Sequence, residues 1–72
     1  MKVNGEMIKA KRVGVEMAVR SLAHAADLSE RRIQQIEEGD IVNLNRNIAK
    51  AIASFLGVKL EVIAATKKEA TA

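Results

Sequence analysis

Seventy-two residues with no cysteine and no proline, carrying 12 Lys/Arg against 9 Asp/Glu, allow one small, mildly basic domain. A chain this short buries only a modest core and gains from a partner subunit; without cysteine it has neither a disulfide framework nor a zinc–thiolate staple. His24 lacks the companions of a metal site, no apolar run approaches a membrane span, and 1% aromatic content removes the stacking platforms of single-stranded nucleic-acid binders.

The chain opens Met-Lys-Val-Asn-Gly-Glu, which does not read as a signal peptide, so a cytoplasmic protein without membrane contact is expected. A first helix begins after Asn4, a good N-cap, and runs to about Val13, with Ile8 facing inward and Gly14 available to end it. A second covers about 17–26, where Leu22, Ala23 and Ala26 recur at helical spacing. Asp27 is a turn residue. Ser29 caps a third helix, with Arg32 where a capping box would have Glu, and Ile33 and Ile36 form its inward stripe. Gly39 is its stop.

Asp40 to Asn45 reads as a connector, and the run Asn43-Leu-Asn-Arg-Asn47 offers caps and turn residues. A fourth helix spans about 46–56 on Ile48, Ile52, Phe55 and Leu56, ending at Gly57. Val58 to Ile63 fits either a strand by alternation or one helical turn. A short helix is expected, because a lone strand has no partner in an all-helical monomer. Ala64 to Ala72 is small and polar and reads as a frayed tail, leaving 5–63 as the domain.

Charge is distributed unevenly. Residues 1–20 hold five Lys/Arg against two acids, 21–40 hold two against five, and 41–72 again five against two. Basic flanks suit a phosphate backbone, whereas the acidic middle opposes strong non-specific binding.

In order and at family spacing, Gly5, Ile8 and Arg12, then Leu22-Ala23, Ala26, Asp27, Leu28, Ser29, Ile33, Ile36, Glu37 and Gly39, then Ala53, Leu56, Gly57 and Val58, resemble the Cro/repressor-type (XRE-like) helix-turn-helix family over roughly 5–63. The resemblance implies an all-α, compact bundle of four to five helices of the lambda-repressor-like DNA-binding type. Asp27 stands where the family usually has Gly at a left-handed turn, a conformation Asp tolerates at modest cost. The residues matching Arg12 and Glu37 form a buried or half-buried ion pair in this family.

By the same resemblance, Ser29, Glu30, Arg31, Gln34 and Gln35 face the major groove. Their chemistry suits that place: Arg binds guanine O6/N7, Gln binds adenine N6/N7, and Glu accepts from cytosine N4. Without the resemblance, the same residues read as an ordinary solvated helix face. Backbone contacts are expected from Arg20 and Ser21 at the start of the second helix, from Arg32, and from Asn43, Asn45 and Arg46 in the loop before the fourth. The chain departs from the family in two places. Ala18-Val19 replaces the usual Ser/Thr-Gln, whose Gln meets a phosphate, and the loop lacks the usual Pro and is about one residue longer.

Two functions compete. The first is a sequence-specific regulator of transcription, a repressor acting as a homodimer on a palindromic double-stranded DNA operator, without cofactor. The second is the same fold used as a protein-interaction module, an adaptor or antitoxin-like subunit, with Val13, Val15, Met17 and Val19 as an apolar contact patch. An enzyme is not expected, since the chain has no cysteine, no His-centred acid/base pair and no phosphate loop.

Overall fold

The computed structural model describes residues 1–65; the expected frayed tail lies, from residue 66 onward, outside the described residues. Five helices follow one another: α1 (Gly5–Gly14), α2 (Val19–Ala26), α3 (Glu30–Glu38), α4 (Arg46–Leu56) and α5 (Leu60–Ile63). The first packs on α3 and α5, α2 packs on α3 and α4, and α4 packs on α5. The expected helical reading of Val58–Ile63 holds over its last four residues, as α5.

The helices bury most of the stripes their spacing announces. Phe55, expected in the stripe of the fourth helix, is instead 53% exposed, and Ala49 and Ala53 join Ile52 and Leu56 on the buried face of α4. Ile8, Leu22, Ile33, Ile36, Ile52 and Ile63 are fully enclosed, each contributing about 1.5–3 kcal/mol relative to exposure. Ala23, Ala49 and Ala53 are buried on α2 and α4, which pack on each other, and small side chains let packed helix axes approach. Gly5 serves the same purpose by having no side chain: a Cβ there would fall on the backbone carbonyl of Ile36, so α1 starts in direct contact with the end of α3.

The first four helices close in the same way. A residue in the left-handed region follows the last turn, and the next N–H reaches back five residues. The reaching bonds are Met17 to the Arg12 carbonyl at 3.0 Å, Leu28 to Ala23 at 2.8 Å, Asp40 to Gln35 at 2.9 Å and Val58 to Ala53 at 3.0 Å. The left-handed residues are Glu16 (φ 57°), Asp27 (φ 59°), Gly39 (φ 90°) and Gly57 (φ 74°). Asp27 therefore adopts the conformation that the resemblance implied. At the end of α1 the structure differs from the expectation. Gly14 remains within the helix, and Glu16 makes the turn. That extra turn also delays α2, which starts at Val19 rather than near Met17.

Residues 1–3, outside the expected domain, join the body. Val3 is buried at 3% exposure, Lys2 bridges Asn43 antiparallel, and Val3 bridges Ala64 antiparallel. The N-terminal segment is thus clamped between the loop before α4 and the chain after α5. Ala64 and Ala65 are held in this pairing rather than loose, with the Ala65 N–H donating to the Lys2 carbonyl at 3.0 Å. Among the described residues the extended pairings are these isolated bridges.

Candidate nucleic-acid interface

Helix α3 has two chemically distinct sides. Ile33, Ile36 and Glu37 are buried; Glu30, Arg31, Arg32, Gln34 and Glu38 are exposed, and Gln35 is half-buried. Ser29 caps the helix, its Oγ accepting from the Arg32 N–H at 3.1 Å, which leaves the hydroxyl free to donate. At 100° per residue, Arg31 and Gln35 stand nearly opposite the buried stripe, with Gln34 and Glu38 on one flank and Arg32 on the other.

The orientation of this helix rests on a buried ionic clamp. The Arg12 guanidinium donates to both Glu37 carboxylate oxygens, at 2.6 Å from Nε and 3.1 Å from Nη2. Its Nη1 donates to the Met17 carbonyl at 2.7 Å. One side chain therefore joins α1, the turn before α2 and the inner face of α3. Hydrogen bonding to Glu37 raises the Arg12 pKa above its ordinary value, against the opposing effect of burial. The two side chains are 12% and 5% exposed, so the pair is desolvated and its bonds are charge-assisted.

At the start of α2, Arg20 and Ser21 are exposed. Ala18 occupies the cap position without a side-chain acceptor, so the opening N–H groups of α2 are not satisfied by a cap. Arg20 reaches Glu30 on α3, Nε to Oε2 3.3 Å, with side chains 85% and 50% exposed. The structure thus puts one expected backbone-contact residue against one expected base-contact residue, in a pair open to solvent.

The connector from Gly39 to Asn45 exposes Asn43, Asn45 and, at the first position of α4, Arg46. Asn45 caps α4, its Oδ1 accepting from the Asn47 N–H at 2.7 Å, so its amide NH2 remains as a donor. Leu44 anchors the loop, 5% exposed in the core.

The Val-rich segment divides. Val13 and Val15 are 55% and 52% exposed, while Met17 and Val19 pack against the core. Val13 lines an open cleft of about 570 Å³ along the α1–α3 seam, with Glu6, Lys9, Ala10, Glu37 and Glu38. A neighbouring cleft of about 360 Å³ is bounded by Lys9, Val19, Gln34, Glu37 and Glu38. Among the described residues no cluster of His, Cys, Asp or Glu forms a cation site, and no helix is long and apolar enough to cross a membrane.

Sequence reasoning missed Lys2 and Val3. Three extended residues leave no periodic signal, and their partners lie far along the chain, in the loop at Asn43 and at Ala64.

No curated protein sequence matches this chain. Among solved structures it resembles SinR, the master regulator for biofilm formation, crystallised in complex with DNA. That match has a TM-score of 0.74 at 21% identity and covers 81% of this chain and 95% of that one. It also resembles a chain of the SinR protein/SinI protein complex, with a TM-score of 0.78 at 21% identity, covering 92% of this chain and 64% of that one. At this identity the likeness establishes the fold. The helix-turn-helix family model matches residues 8–63, well over half of the sequence. With α2, the left-handed turn at Asp27 and α3 at its centre, this chain belongs to the Cro/repressor-type (XRE-like) helix-turn-helix family of DNA-binding regulators.

Proposed function

We propose that this protein is a sequence-specific reader of double-stranded DNA that regulates transcription, a repressor acting as a homodimer on a palindromic operator. The observation that carries this reading is the outward side of α3. It is a capped helix, fixed from behind by a buried ion pair, that exposes Arg31 and Gln34 with the half-buried Gln35 beside them. These side chains match the donor and acceptor patterns of guanine and adenine in the major groove.

Base recognition falls to Arg31 and Gln35, with Ser29, Glu30 and Gln34 beside them. Arg20, Ser21, Arg32, Asn43, Asn45 and Arg46 hold phosphates, which fix register without reading sequence. The uncapped start of α2 supports this division, since N–H groups at a helix start suit an anion. Each half-site would be read by one subunit, with centres about 34 Å apart on the duplex. Phe55, 53% exposed on α4, is an apolar surface suited to the subunit contact.

Selection of bound sequences from random duplex DNA tests the proposal. Enrichment of a palindrome, lost in Arg31→Ala, is the expected result. A selected pool indistinguishable from the input overturns it.

A second reading, a protein-interaction module, draws support from one feature. Val13 and Val15 are exposed, and the former lines the wider cleft beside α3. Under that reading Val13→Ser abolishes partner binding while Arg31→Ala leaves it intact.

A further inference from the structure

The bridge between Lys2 and Asn43 has a defined register. The Val3 N–H donates to the Val42 carbonyl at 2.8 Å, and the Leu44 N–H donates to the Met1 carbonyl at 2.8 Å. Both bonds flank the Lys2–Asn43 pair, and neither residue bonds the other's backbone. In an antiparallel ladder this is the narrow pair, whose Cα atoms lie about 4.5 Å apart and whose side chains leave the ribbon on one face, side by side.

Alternation settles which face that is. Val3, the neighbour of Lys2, is buried at 3% exposure, and Leu44, the neighbour of Asn43, is buried at 5%. Lys2 and Asn43 therefore share the opposite, solvent-facing side, and both are exposed. The strand is held on its other edge as well. The Asn4 N–H donates to the Ile63 carbonyl at 2.7 Å, and Val3 packs opposite Ala64. Among the described residues no carboxylate pairs with Lys2.

On the reading that this chain binds duplex DNA, we propose that Lys2 is a further phosphate-contact residue, set beside Asn43 by the clamped N-terminal strand. The α3–α4 loop otherwise offers phosphate neutral amides at Asn43 and Asn45, with one cation, Arg46, at the start of α4. Lys2 adds a second cation to this edge from the opposite end of the sequence. Ammonium beside amide gives a point charge with rotatable donors next to a directional one, a combination that suits a backbone oxygen without reading bases. The acidic balance of residues 21–40 makes this added charge consequential, because the loop follows that stretch directly.

Salt titration of binding to a duplex recovered by the wild-type protein tests the assignment, using the full chain with Lys2→Gln and Lys2→Arg. Removing one phosphate contact lowers the slope of log K against log salt by about one unit. Over a fourfold rise in salt, Lys2→Gln should then lose about three- to fourfold less affinity than wild type. Lys2→Arg should keep the wild-type slope, and thermal midpoints should be unchanged, because the side chain is exposed. A Lys2→Gln slope equal to wild type overturns the inference while leaving the DNA reading in place. A slope that falls in both variants, or falls together with the melting midpoint, assigns Lys2 a structural role and also overturns it. Failure of the wild type to bind any duplex removes the DNA reading and, with it, this inference.

Discussion

Two arginine–carboxylate pairs reach α3, one at each end of the helix, and they differ in every respect that decides energy. Arg12 meets Glu37 through two bonds, with both side chains largely buried and a third bond to the Met17 carbonyl. Arg20 meets Glu30 through a single 3.3 Å contact, with side chains 85% and 50% exposed. The buried pair cannot exchange its partners for water without leaving a desolvated charge behind. The exposed pair exchanges freely, and its net worth is within about 1 kcal/mol. The contrast separates a contact that fixes the position of α3 from one that solvent can exchange. A DNA phosphate or base edge can replace Glu30 or Arg20 in their mutual contact; nothing from outside can replace Glu37.

The largest effect should come from cutting the buried pair. Arg12→Ala or Glu37→Ala should destabilise the fold by about 3–5 kcal/mol, whereas Arg20→Ala should change stability by about 0.5 kcal/mol or less. Urea midpoints of the three variants check this, and equal midpoints would erase the distinction between the two pairs. Because Glu37 raises the Arg12 pKa, the guanidinium stays charged in both folded and unfolded chains, and Arg12 adds no pH dependence of its own at neutral or acid pH.

The helix closures give an intermediate effect. Glu16 and Asp27 take the left-handed turn that Gly39 and Gly57 also take, but only the glycines do so without a steric cost from a side chain. Gly39→Ala should lower stability by about 1 kcal/mol, while Glu16→Gly should raise it by a few tenths to about 1 kcal/mol. Asp27→Gly should gain less than Glu16→Gly, since Asp tolerates this region better. Thermal melting orders the three; a loss of stability in Glu16→Gly would mean that its side chain contributes something that offsets the strain.

The smallest effect should be the coupling between Arg20 and Glu30. A double-mutant cycle on stability should return about 0.2–1 kcal/mol at low salt, fading as salt rises. A coupling of several kcal/mol, insensitive to salt, would make this second pair a structural clamp as well.

What the sequence made legible follows the same division. The buried stripes of α2 and α3 repeat at helical spacing, so their existence and faces could be read directly, as could the caps at Asn4 and Ser29. In α4 Ile52 and Leu56 were readable, whereas Phe55 shares their apolar chemistry and yet is exposed. The meeting of Arg12 with Glu37 was readable only through family spacing, since nothing local links residues on different helices. The closure of α1 was misplaced because Gly14 is the obvious stop by propensity. The turn instead falls two residues later, on Glu16, where the Met17 carbonyl comes within reach of Arg12. The N-terminal strand was invisible: its stability comes from partners at Asn43 and Ala64, and contacts that distant leave no local pattern. On the outward side of α3, sequence identifies residue types suited to bases, and burial identifies which of them are exposed.

The central claim is that the outer side of α3 reads sequence while the loop before α4 holds the backbone. Salt-dependent binding of Arg31→Ala and Arg46→Ala, on a cognate and a scrambled duplex, tests it most directly. Arg31→Ala should lose about 1–3 kcal/mol on the cognate duplex alone and relax specificity at one operator position. Arg46→Ala should weaken both duplexes alike and lower the salt slope by about one unit. Equal losses on cognate and scrambled DNA for both variants, or no loss in either, would contradict the account.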